Sequence, residues 1–240
     1  MSKPSRTARP GPGAKRVDPA RSALLAGASG LIGRELLAQL LQDEHYAKVH
    51  VLLRRAVASL PRDRKLAAKQ VDFGALPALP AVDDVYIALG TTIKAAGSQA
   101  AFRAVDFDAV VNCARAAREA GAKRLAIVSA LGADANSAVF YNRVKGDMQQ
   151  AVAQLGYESV LFAQPSLLVG DRAALGQPER PGEVWATRLL GPFMGWVPAS
   201  VRPIEAHTVA RALLRATLAA APGVHRLPSA RLQELGRQRD

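Results

Sequence analysis

Short apolar runs alternate with helical periodicity along most of the chain. Runs that are typical of buried strands lie at residues 22–26, 49–53, 71–73, 85–89, 125–128, 160–162 and 224–227. Apolar positions at helical spacing predict helices at residues 32–41, 99–120, 138–155 and 204–220. Strands that are apolar throughout and are separated by helices predict a parallel sheet with helices on both faces, which is a doubly wound α/β fold.

The two ends of the chain depart from this alternation. Residues 1–20 hold four prolines and two glycines among polar and basic residues, so we expect a disordered basic tail there. The segment is also rich in arginine and poor in acids, as transit peptides are, which leaves a targeting role open. We expect a single domain over residues 21–229 and a C-terminal tail at 230–240.

The composition limits the possible classes of protein. Of 240 residues, 49% are hydrophobic and 22% are charged, which rules out a wholly disordered chain. The longest apolar runs are far short of the ~20 residues that a membrane-spanning helix needs. The single cysteine, Cys113, excludes a disulfide framework and a multi-cysteine zinc site, and the four histidines lack metal-ligand spacing, so no metal is expected. We expect a reducing, cytoplasmic setting.

The net charge of +12 is concentrated in two short segments. Residues 1–21 and residues 54–69 each carry six basic side chains against one acid. Because the rest of the chain is nearly balanced, nothing indicates a basic face across the domain, and nucleic-acid binding is not expected.

A glycine-rich turn joins the first predicted strand to the first helix. The diphosphate of a dinucleotide approaches the backbone amides at a helix N-terminus, where the helix dipole is positive and side chains would block it. The spacing G-x-x-G-x-x-G, its place after the first strand and the amphipathic helix that follows together predict dinucleotide binding. The residues of this turn are Gly27, Ala28, Ser29, Gly30, Leu31, Ile32 and Gly33.

Two arginines follow the second predicted strand. In NAD-binding proteins an acid hydrogen-bonds the ribose 2′-hydroxyl at this point, about 20 residues after the last glycine. Arg54 and Arg55 stand there instead, and a guanidinium suits a 2′-phosphate because its charge is permanent and its donors are paired. We therefore expect NADP(H), with NAD(H) as the less favoured cofactor. The alternative is two solvated arginines at a strand end.

Two further strand ends supply candidate cofactor contacts. Asp72 and Phe73 end the third predicted strand, where the carboxylate can accept a hydrogen bond from the adenine amino group or equally cap a turn. After the fourth strand, small residues would let the backbone run beneath a cofactor, although an ordinary loop has the same composition. These residues are Leu89, Gly90, Thr91 and Thr92.

Candidate catalytic residues follow the fifth predicted strand. Ser129 comes directly after it, and Tyr141 and Lys145 lie four residues apart, on one face of the next helix. A neighbouring ammonium lowers the pKa of a phenol from its usual value near 10. A tyrosine in this setting is suited to exchange a proton with a carbonyl oxygen while hydride moves at carbon. The serine hydroxyl would hydrogen-bond the same oxygen.

These motifs together resemble the short-chain dehydrogenase/reductase family in its atypical or extended form. Residues 89–92, 94–98, 105–106 and 128–133 are similar to the branch of the HIV Tat-interacting oxidoreductase-like proteins and their bacterial relatives. The resemblance covers about residues 22–220. It implies NADP(H) binding by a one-domain Rossmann fold with a small C-terminal substrate cap. It also implies catalysis by Ser129, Tyr141 and Lys145, with Lys145 bonding the nicotinamide ribose as well.

The resemblance has one departure, at the end of the sixth predicted strand. Relatives usually have Arg-Pro where this chain has Gln164-Pro165, which removes a fixed charge that a substrate anion would contact. The turn from Pro165 to Leu168 is expected to line the nicotinamide. The cap elements are expected mainly within 171–203, where aromatic residues either pack the cap or line a substrate pocket.

These features predict an NADP(H)-dependent oxidoreductase that transfers hydride to or from a small carbonyl or alcohol substrate, as a monomer or homodimer. Two alternatives remain open. One is a regulator that senses NADP(H) and binds proteins without turnover, although such a sensor has no use for an activated tyrosine. The other is a nucleotide-sugar epimerase or dehydratase, although such enzymes usually have a larger substrate domain than remains after the sixth strand.

Overall fold

The computed structural model describes residues 20–57, 60–169, 198 and 201–238, which form a seven-stranded parallel sheet flanked by helices. The order across the sheet is β3-β2-β1-β4-β5-β6-β9, which confirms the doubly wound α/β fold. Two further strands of two residues each, β7 and β8, pair with one another. The strands are β1 (Arg21–Ala26), β2 (Tyr46–Leu53), β3 (Leu66–Gln70), β4 (Asp84–Ile87), β5 (Arg124–Val128), β6 (Ser159–Gln164), β7 (Leu168–Val169), β8 (Ile204–Glu205) and β9 (Gly223–Pro228).

Helices connect the strands and cover the sheet. They are α1 (Leu31–Gln42), α2 (Ile93–Ala96), α3 (Gln99–Arg103), α4 (Val110–Glu119), α5 (Phe140–Ala153), α6 (Ala206–Ala219) and α7 (Ser229–Arg237), and a π-helical segment (Ala104–Ala109) joins α3 to α4. The strand order reverses between β1 and β4. In open parallel sheets ligands bind at this reversal, outside the carboxyl ends of the strands.

Both faces of the sheet are buried, as the continuous apolar strands predicted. In β1, Ala23 and Leu25 pack with α1 and α6 in one core, whereas Leu24 and Ala26 pack with α4 and α5 in the other. All four side chains are fully buried. Because apolar burial is the main driving force for folding, the two cores fix how the helices lie on the sheet.

The third strand lies earlier in the chain than predicted. It spans Leu66–Gln70 rather than 71–73, and it is largely exposed at the edge of the sheet, next to β2. An edge strand with a solvated face needs no continuous apolar run, so its mixed sequence concealed it. Val71 and Phe73 follow this strand and turn into the core, which explains why they are apolar.

Two helical regions also differ from the prediction. The helix expected over 99–120 is divided by the π-helical segment, in which Asp106 is buried. The C-terminal tail was expected at 230–240, whereas Ser229–Arg237 form the helix α7. Leu232 of α7 is fully buried, and Gly236 is so close to α6 that a Cβ on it would lie 2.3 Å from the Thr208 carbonyl oxygen.

Two expectations fall outside the described residues. They are the basic tail at 1–20, apart from residue 20, and the cap at 171–203, apart from residues 198 and 201–203. Within the described part of the chain, the strands β1, β2, β4, β5 and β6 are parallel, so their carboxyl ends all lie at the same end of the sheet. Most of the predicted site residues follow those ends, whereas Asp72 and Phe73 follow β3, and Tyr141 and Lys145 lie in α5.

Candidate functional site

The glycine-rich turn is held by contacts that exclude side chains at two of its three glycines. Gly27 has a φ of +93°, and a Cβ on it would lie 2.5 Å from the Ala88 carbonyl group. A Cβ on Gly33 would lie 1.9 Å from the Gly27 carbonyl oxygen. That oxygen also accepts a hydrogen bond from the Gly30 amide at 3.0 Å. Gly27 and Gly33 therefore allow the end of β1, the end of β4 and α1 to pack closely.

Gly30 differs, because the protein itself leaves space for a side chain there. A Cβ on it would lie 3.4 Å from the Gly27 carbonyl oxygen and 3.8 Å from that of Ala88, which are ordinary contact distances. Gly30 is also the N-cap of α1 and offers no side-chain hydrogen bond to the amides of the first turn. The remaining turn residues are buried Ala28 and Ile32, half-buried Leu31 and exposed Ser29. Uncapped amides at a helix N-terminus fit an anionic diphosphate, so the turn meets the requirement for a dinucleotide.

The arginines after β2 are exposed. Arg54 and Arg55 directly follow this strand, and within the described part of the chain no ion pair engages either guanidinium. Arg34 is a further candidate that was not predicted. With Ala28 and Val57 it lines a cavity of about 390 Å³ that lies between α1 and the chain after Arg55. Arg54 and Arg55 are therefore exposed to solvent at the carboxyl end of β2, and Arg34 lines this cavity together with Asp63.

Asp72 caps a turn, because its Oδ1 accepts a hydrogen bond from the Gly74 amide at 2.8 Å. Phe73 is buried in the core, and its carbonyl oxygen accepts a hydrogen bond from Asn112 Nδ2 at 3.2 Å. Of the two functions considered for Asp72, the contacts support the turn cap. The adenine contact of both residues stays a prediction.

The loop after β4 meets two buried charged side chains. Asp106 Oδ2 accepts a hydrogen bond from the Thr91 amide at 2.9 Å, and Asp106 Oδ1 lies 2.7 Å from the Lys145 ammonium. A Cβ on Gly90 would lie 3.3 Å from Asp106 Oδ1 and 3.9 Å from Lys145 Nζ. The structure therefore brings Lys145, from α5, against the loop that was predicted to run beneath the cofactor.

A chain of hydrogen bonds fixes Ser129 at the end of β5. Gln149 Nε2, on α5, donates to Ser129 Oγ at 2.7 Å, and Arg226 Nε, on β9, donates to Gln149 Oε1 at 3.0 Å. Since a guanidinium can only donate, Arg226 fixes the orientation of the Gln149 amide. The Ser129 oxygen consequently acts as an acceptor toward Gln149, and its own proton remains for another acceptor.

Tyr141 lies in the first turn of α5. Its ring contacts the buried ring of Phe102, with the two centroids 5.4 Å apart. Among the described residues, no hydrogen bond joins the Tyr141 hydroxyl to Ser129 or to Lys145. Lys145 and Tyr141 therefore lie on one helix, and Lys145 meets the loop after β4. In the part of the chain that the structure describes, no hydrogen bond joins Ser129 to either of them.

The remaining predicted contacts lie at the ends of β4 and β6. Leu89 is half-buried, and the Thr92 hydroxyl caps α2 by accepting a hydrogen bond from the amide three residues later at 3.0 Å. Pro165 is buried, and its carbonyl oxygen accepts a hydrogen bond from the Leu131 amide at 3.1 Å. Leu168 lies in β7. The chain after β6 therefore contacts the chain after β5, at the same edge of the sheet.

Besides Arg34, three residues that hold predicted site residues in place were not predicted: Asp106, Gln149 and, through Gln149, Arg226. Val105-Asp106 is one of the motifs that carry the family resemblance, and that signal could have identified Asp106. No sequence pattern marks the other two residues, because they lie 77 residues apart and meet only in the folded chain. Within the described ranges, no three His, Cys, Asp or Glu side chains are grouped to hold a metal. No described helix is long and apolar enough to cross a membrane.

The family of the chain follows from comparison with known proteins. The profile of the NAD(P)H-binding family matches residues 27–159, which is more than half of the chain. The chain therefore belongs to the NAD(P)H-binding family. The matched region contains the glycine-rich turn, Ser129, Tyr141 and Lys145.

Curated relatives define the branch within this family. Protein fmp52 of Aspergillus fumigatus is 32% identical over 210 residues, which cover 83% of this chain and 88% of that protein. Protein HTATIP2 of Rattus norvegicus is 32% identical over 200 residues, which cover 81% of this chain and 80% of that protein. These similarities confirm the resemblance to the HIV Tat-interacting oxidoreductase-like branch.

Solved structures support the same fold. The oxidoreductase ylbE from Lactococcus lactis superposes with a TM-score of 0.59 at 18% identity, covering 89% of this chain and 96% of that one. MoeE5 in complex with UDP-glucose and NAD superposes with a TM-score of 0.65 at 16% identity, covering 86% and 75% of the two chains. At this level of identity the comparison establishes a Rossmann-like fold.

The relatives also correct the expected location. The proteins of this group from Emericella nidulans, Eremothecium gossypii and Debaryomyces hansenii are named as mitochondrial. This finding conflicts with the expectation of a cytoplasmic protein and overturns it. That expectation rested on the single cysteine, and cysteine usage does not separate the reducing compartments of a cell.

Proposed function

We propose that the protein is an NADP(H)-dependent oxidoreductase that reduces a small carbonyl compound or oxidises the corresponding alcohol. The observation that carries this proposal is the position of the Lys145 ammonium, which α5 delivers to the backbone at Gly90 and Thr91. This loop follows β4, the neighbour of β1 and its glycine-rich turn. Tyr141, the proton donor, lies on the same helix as the Lys145 cation. Both groups therefore lie near the carboxyl ends of the strands, where dinucleotides bind in such sheets.

In this proposal, three groups of residues bind the cofactor. The α1 amides that are uncapped at Gly30 bind the diphosphate, and Arg54 and Arg55 bind the 2′-phosphate. Lys145 hydrogen-bonds the nicotinamide ribose, as the resemblance implies. NADPH supplies, when bound, the hydride that reduces the carbonyl carbon. A preference for NADP(H) over NAD(H) is supported by the arginines that stand where an acid would bind the ribose of NAD.

The substrate oxygen needs a proton when a carbonyl is reduced. We assign its donation to Tyr141, whose ring is held against Phe102. Ser129 donates a hydrogen bond to the same oxygen in this proposal. Gln149 supports that role, because it occupies an acceptor position of the serine hydroxyl and leaves the serine proton for the substrate.

Tyr141→Phe tests this chemistry separately from the fold. The change removes the hydroxyl and keeps the ring against Phe102, so stability and NADPH affinity should stay close to those of the wild type. NADPH oxidation is followed with a panel of quinones, aldehydes and ketones. With a substrate found in this panel, the rate should fall by about 10²–10⁴ in the variant, which is the usual effect of a positioned acid. Full turnover by the variant would exclude Tyr141 as the proton donor.

Two other results would favour the alternatives. A wild-type protein that binds NADPH and oxidises it with no member of the panel favours a regulator that senses the cofactor. Turnover of a nucleotide sugar without net consumption of NADPH favours an epimerase. In both cases NADPH affinity and turnover are measured on the same preparation, so that an inactive sample is not mistaken for a sensor.

A further inference from the structure

Two hydroxyl groups meet at the turn that follows β6 (residues 165–168, called the β6 turn here). Ser166, in this turn, donates a hydrogen bond from its Oγ to the Arg202 carbonyl oxygen. Ser229, the first residue of α7, is fully buried, and its Oγ lies 2.9 Å from Ser166 Oγ. Because the Ser166 proton is given to the carbonyl oxygen, Ser229 is the donor between the two hydroxyls. The pair therefore joins the β6 turn to the chain before β8 and to the C-terminal helix.

Backbone hydrogen bonds hold the β6 turn at two further points. The Pro165 carbonyl oxygen accepts a hydrogen bond from the Leu131 amide at 3.1 Å, and the Leu167 carbonyl oxygen accepts one from the Ile204 amide at 2.9 Å. Leu131 lies two residues after Ser129, in the chain that follows β5. The β6 turn is therefore bonded on one side to the chain that carries a candidate catalytic residue, and on the other side to the C-terminal part of the protein.

Stability alone does not explain the hydroxyl pair. Replacing both partners of a buried hydrogen bond by apolar groups of similar shape is nearly neutral, and the neighbouring elements already supply Ile204 and Leu232 to the apolar core. The Arg202 carbonyl oxygen also accepts a hydrogen bond from Gln233 Nε2 of α7 at 3.4 Å, so it keeps a donor without Ser166. Hydrogen bonds are directional, so the pair fixes where the β6 turn lies more than it stabilises the fold.

We propose that Ser166 is a positioning residue for the nicotinamide end of the cofactor, and that Ser229 of α7 acts through it. The inference rests on the proposed binding of NADP(H) and on the prediction that the β6 turn lines the nicotinamide, and it adds the contacts that hold this turn in place. Without the hydroxyls, the turn keeps its backbone hydrogen bonds to Leu131 and Ile204, whereas the chain at Ser166 is free to shift between them.

Calorimetric titration with two ligands tests this role, together with the fluorescence of bound NADPH. NADPH contains the nicotinamide, whose reduced ring fluoresces according to its surroundings, whereas adenosine 2′,5′-bisphosphate contains only the phosphorylated adenosine. We expect Ser166→Ala to raise the Kd of NADPH about two- to tenfold, the effect of losing a neutral hydrogen bond, and to reduce the change in fluorescence on binding. The variant should bind adenosine 2′,5′-bisphosphate as the wild type does.

A double variant and a matched control complete the experiment. Ser229→Ala alone should cause a smaller loss of NADPH affinity in the same direction, and in the Ser166→Ala background it should cause no further loss, because Ser229 acts through Ser166. Ser159→Ala is the control, since Ser159 is similarly buried and lies at the amino end of β6, away from the β6 turn. This variant should bind both ligands, and alter NADPH fluorescence, like the wild type.

The outcomes separate this inference from the function on which it rests. If Ser166→Ala binds NADPH with the affinity and fluorescence of the wild type, the positioning role is wrong and the proposed cofactor site stands. Equal weakening of both ligands, or additive losses in the double variant, also overturns the role. If the wild type binds neither ligand, the proposed function fails and the inference fails with it. Should Ser166→Ala not fold, Ser229→Ala decides the question, because its loss should also be selective for NADPH.

Discussion

Arg54 and Arg55 are the residues on which the choice between NADP and NAD depends. Both are exposed directly after β2. A hydrogen bond to a charged group contributes ~1.5–3 kcal/mol, so NADP should bind at least about tenfold more tightly than NAD. Arg54→Ala combined with Arg55→Ala should remove this preference and leave the affinity for NAD nearly unchanged, as measured by calorimetry.

The matched control for this prediction is Arg62→Ala combined with Arg64→Ala. These two arginines are also exposed and belong to the same basic segment, farther from the end of β2. They should leave the preference for NADP intact. A similar loss of NADP affinity in both double variants would indicate that the overall charge of the segment, rather than a specific 2′-phosphate contact, attracts the cofactor. Equal affinities of the wild type for NADP and NAD would contradict the prediction outright.

Residue patterns identified candidate side chains but not the partners of those side chains. Lys145 was predicted from its spacing to Tyr141, whereas the structure pairs its ammonium with Asp106 on another element. Ser129 was predicted to face the substrate, and the structure shows its oxygen held by Gln149. Such contacts depend on how each helix lies on the sheet, and periodicity does not determine that placement. The catalytic roles of Ser129, Tyr141 and Lys145 stay predictions.

At the scale of elements, two glycines of the glycine-rich turn are expected to differ in function: Gly33 is required for packing, and Gly30 for ligand binding. Gly33→Ala would place a Cβ 1.9 Å from the Gly27 carbonyl oxygen, so α1 must move. We expect a loss of about 1–3 kcal/mol in the free energy of unfolding without ligand. Gly30→Ala meets ordinary contact distances and should cost less than about 1 kcal/mol. Denaturant unfolding of the two ligand-free variants measures this difference.

Of these two variants, Gly33→Ala should lose more stability, whereas Gly30→Ala should lose more NADPH affinity. A methyl group at Gly30 stands where a diphosphate must approach the α1 amides, so its Kd should rise at least about tenfold although the ligand-free fold is nearly unaffected. Normal NADPH affinity in Gly30→Ala would show that the diphosphate does not bind at this turn. Each titration is made at a temperature at which the ligand-free variant is fully folded.

Element boundaries were predictable for most strands, including the largely exposed edge strand β9, and were missed for three other elements. The strands buried on both faces were located to within a few residues. The edge strand β3 was misplaced, because its largely exposed sequence gives no apolar run. The short helix α7 was missed because its contacts come from α6, through buried Leu232 and the close approach of Gly236 to Thr208. The π-helical segment has no sequence period of its own that could be distinguished from an α-helix.

In the whole molecule, the amino ends and the carboxyl ends of the strands carry different kinds of residues. At the amino ends of the strands, buried Asp84 accepts a hydrogen bond from Tyr46 at 2.7 Å and pairs with Arg21 and Arg124. Burial raises the pKa of Tyr46 and of Tyr86, so both hydroxyls stay protonated and can donate. The candidate cofactor and catalytic residues lie at the opposite edge. Polar contacts therefore join β1, β2, β4 and β5 at the amino ends of the strands, away from the predicted site.

The buried thiol of Cys113 reports whether cofactor binding protects α4 together with the sheet. The thiol is fully buried in α4, and this burial raises its pKa to about 12. In the folded protein it is therefore neither ionised nor accessible, and its reaction with an aromatic disulfide reagent at pH 8 should require unfolding. Because NADPH binds the folded state, a concentration of 100 Kd should slow labelling about 100-fold.

An exposed thiol provides the control for this last prediction. Ala221 is exposed between α6 and β9, so Ala221→Cys in a Cys113→Ala background should react rapidly, and at the same rate with and without NADPH. If NADPH leaves the labelling of Cys113 unchanged, the reagent reaches the thiol through a local opening of α4 that spares the cofactor site. We expect the opposite, because the central strands contribute side chains to both cores, so that α4 cannot be exposed without disturbing the sheet that carries the site.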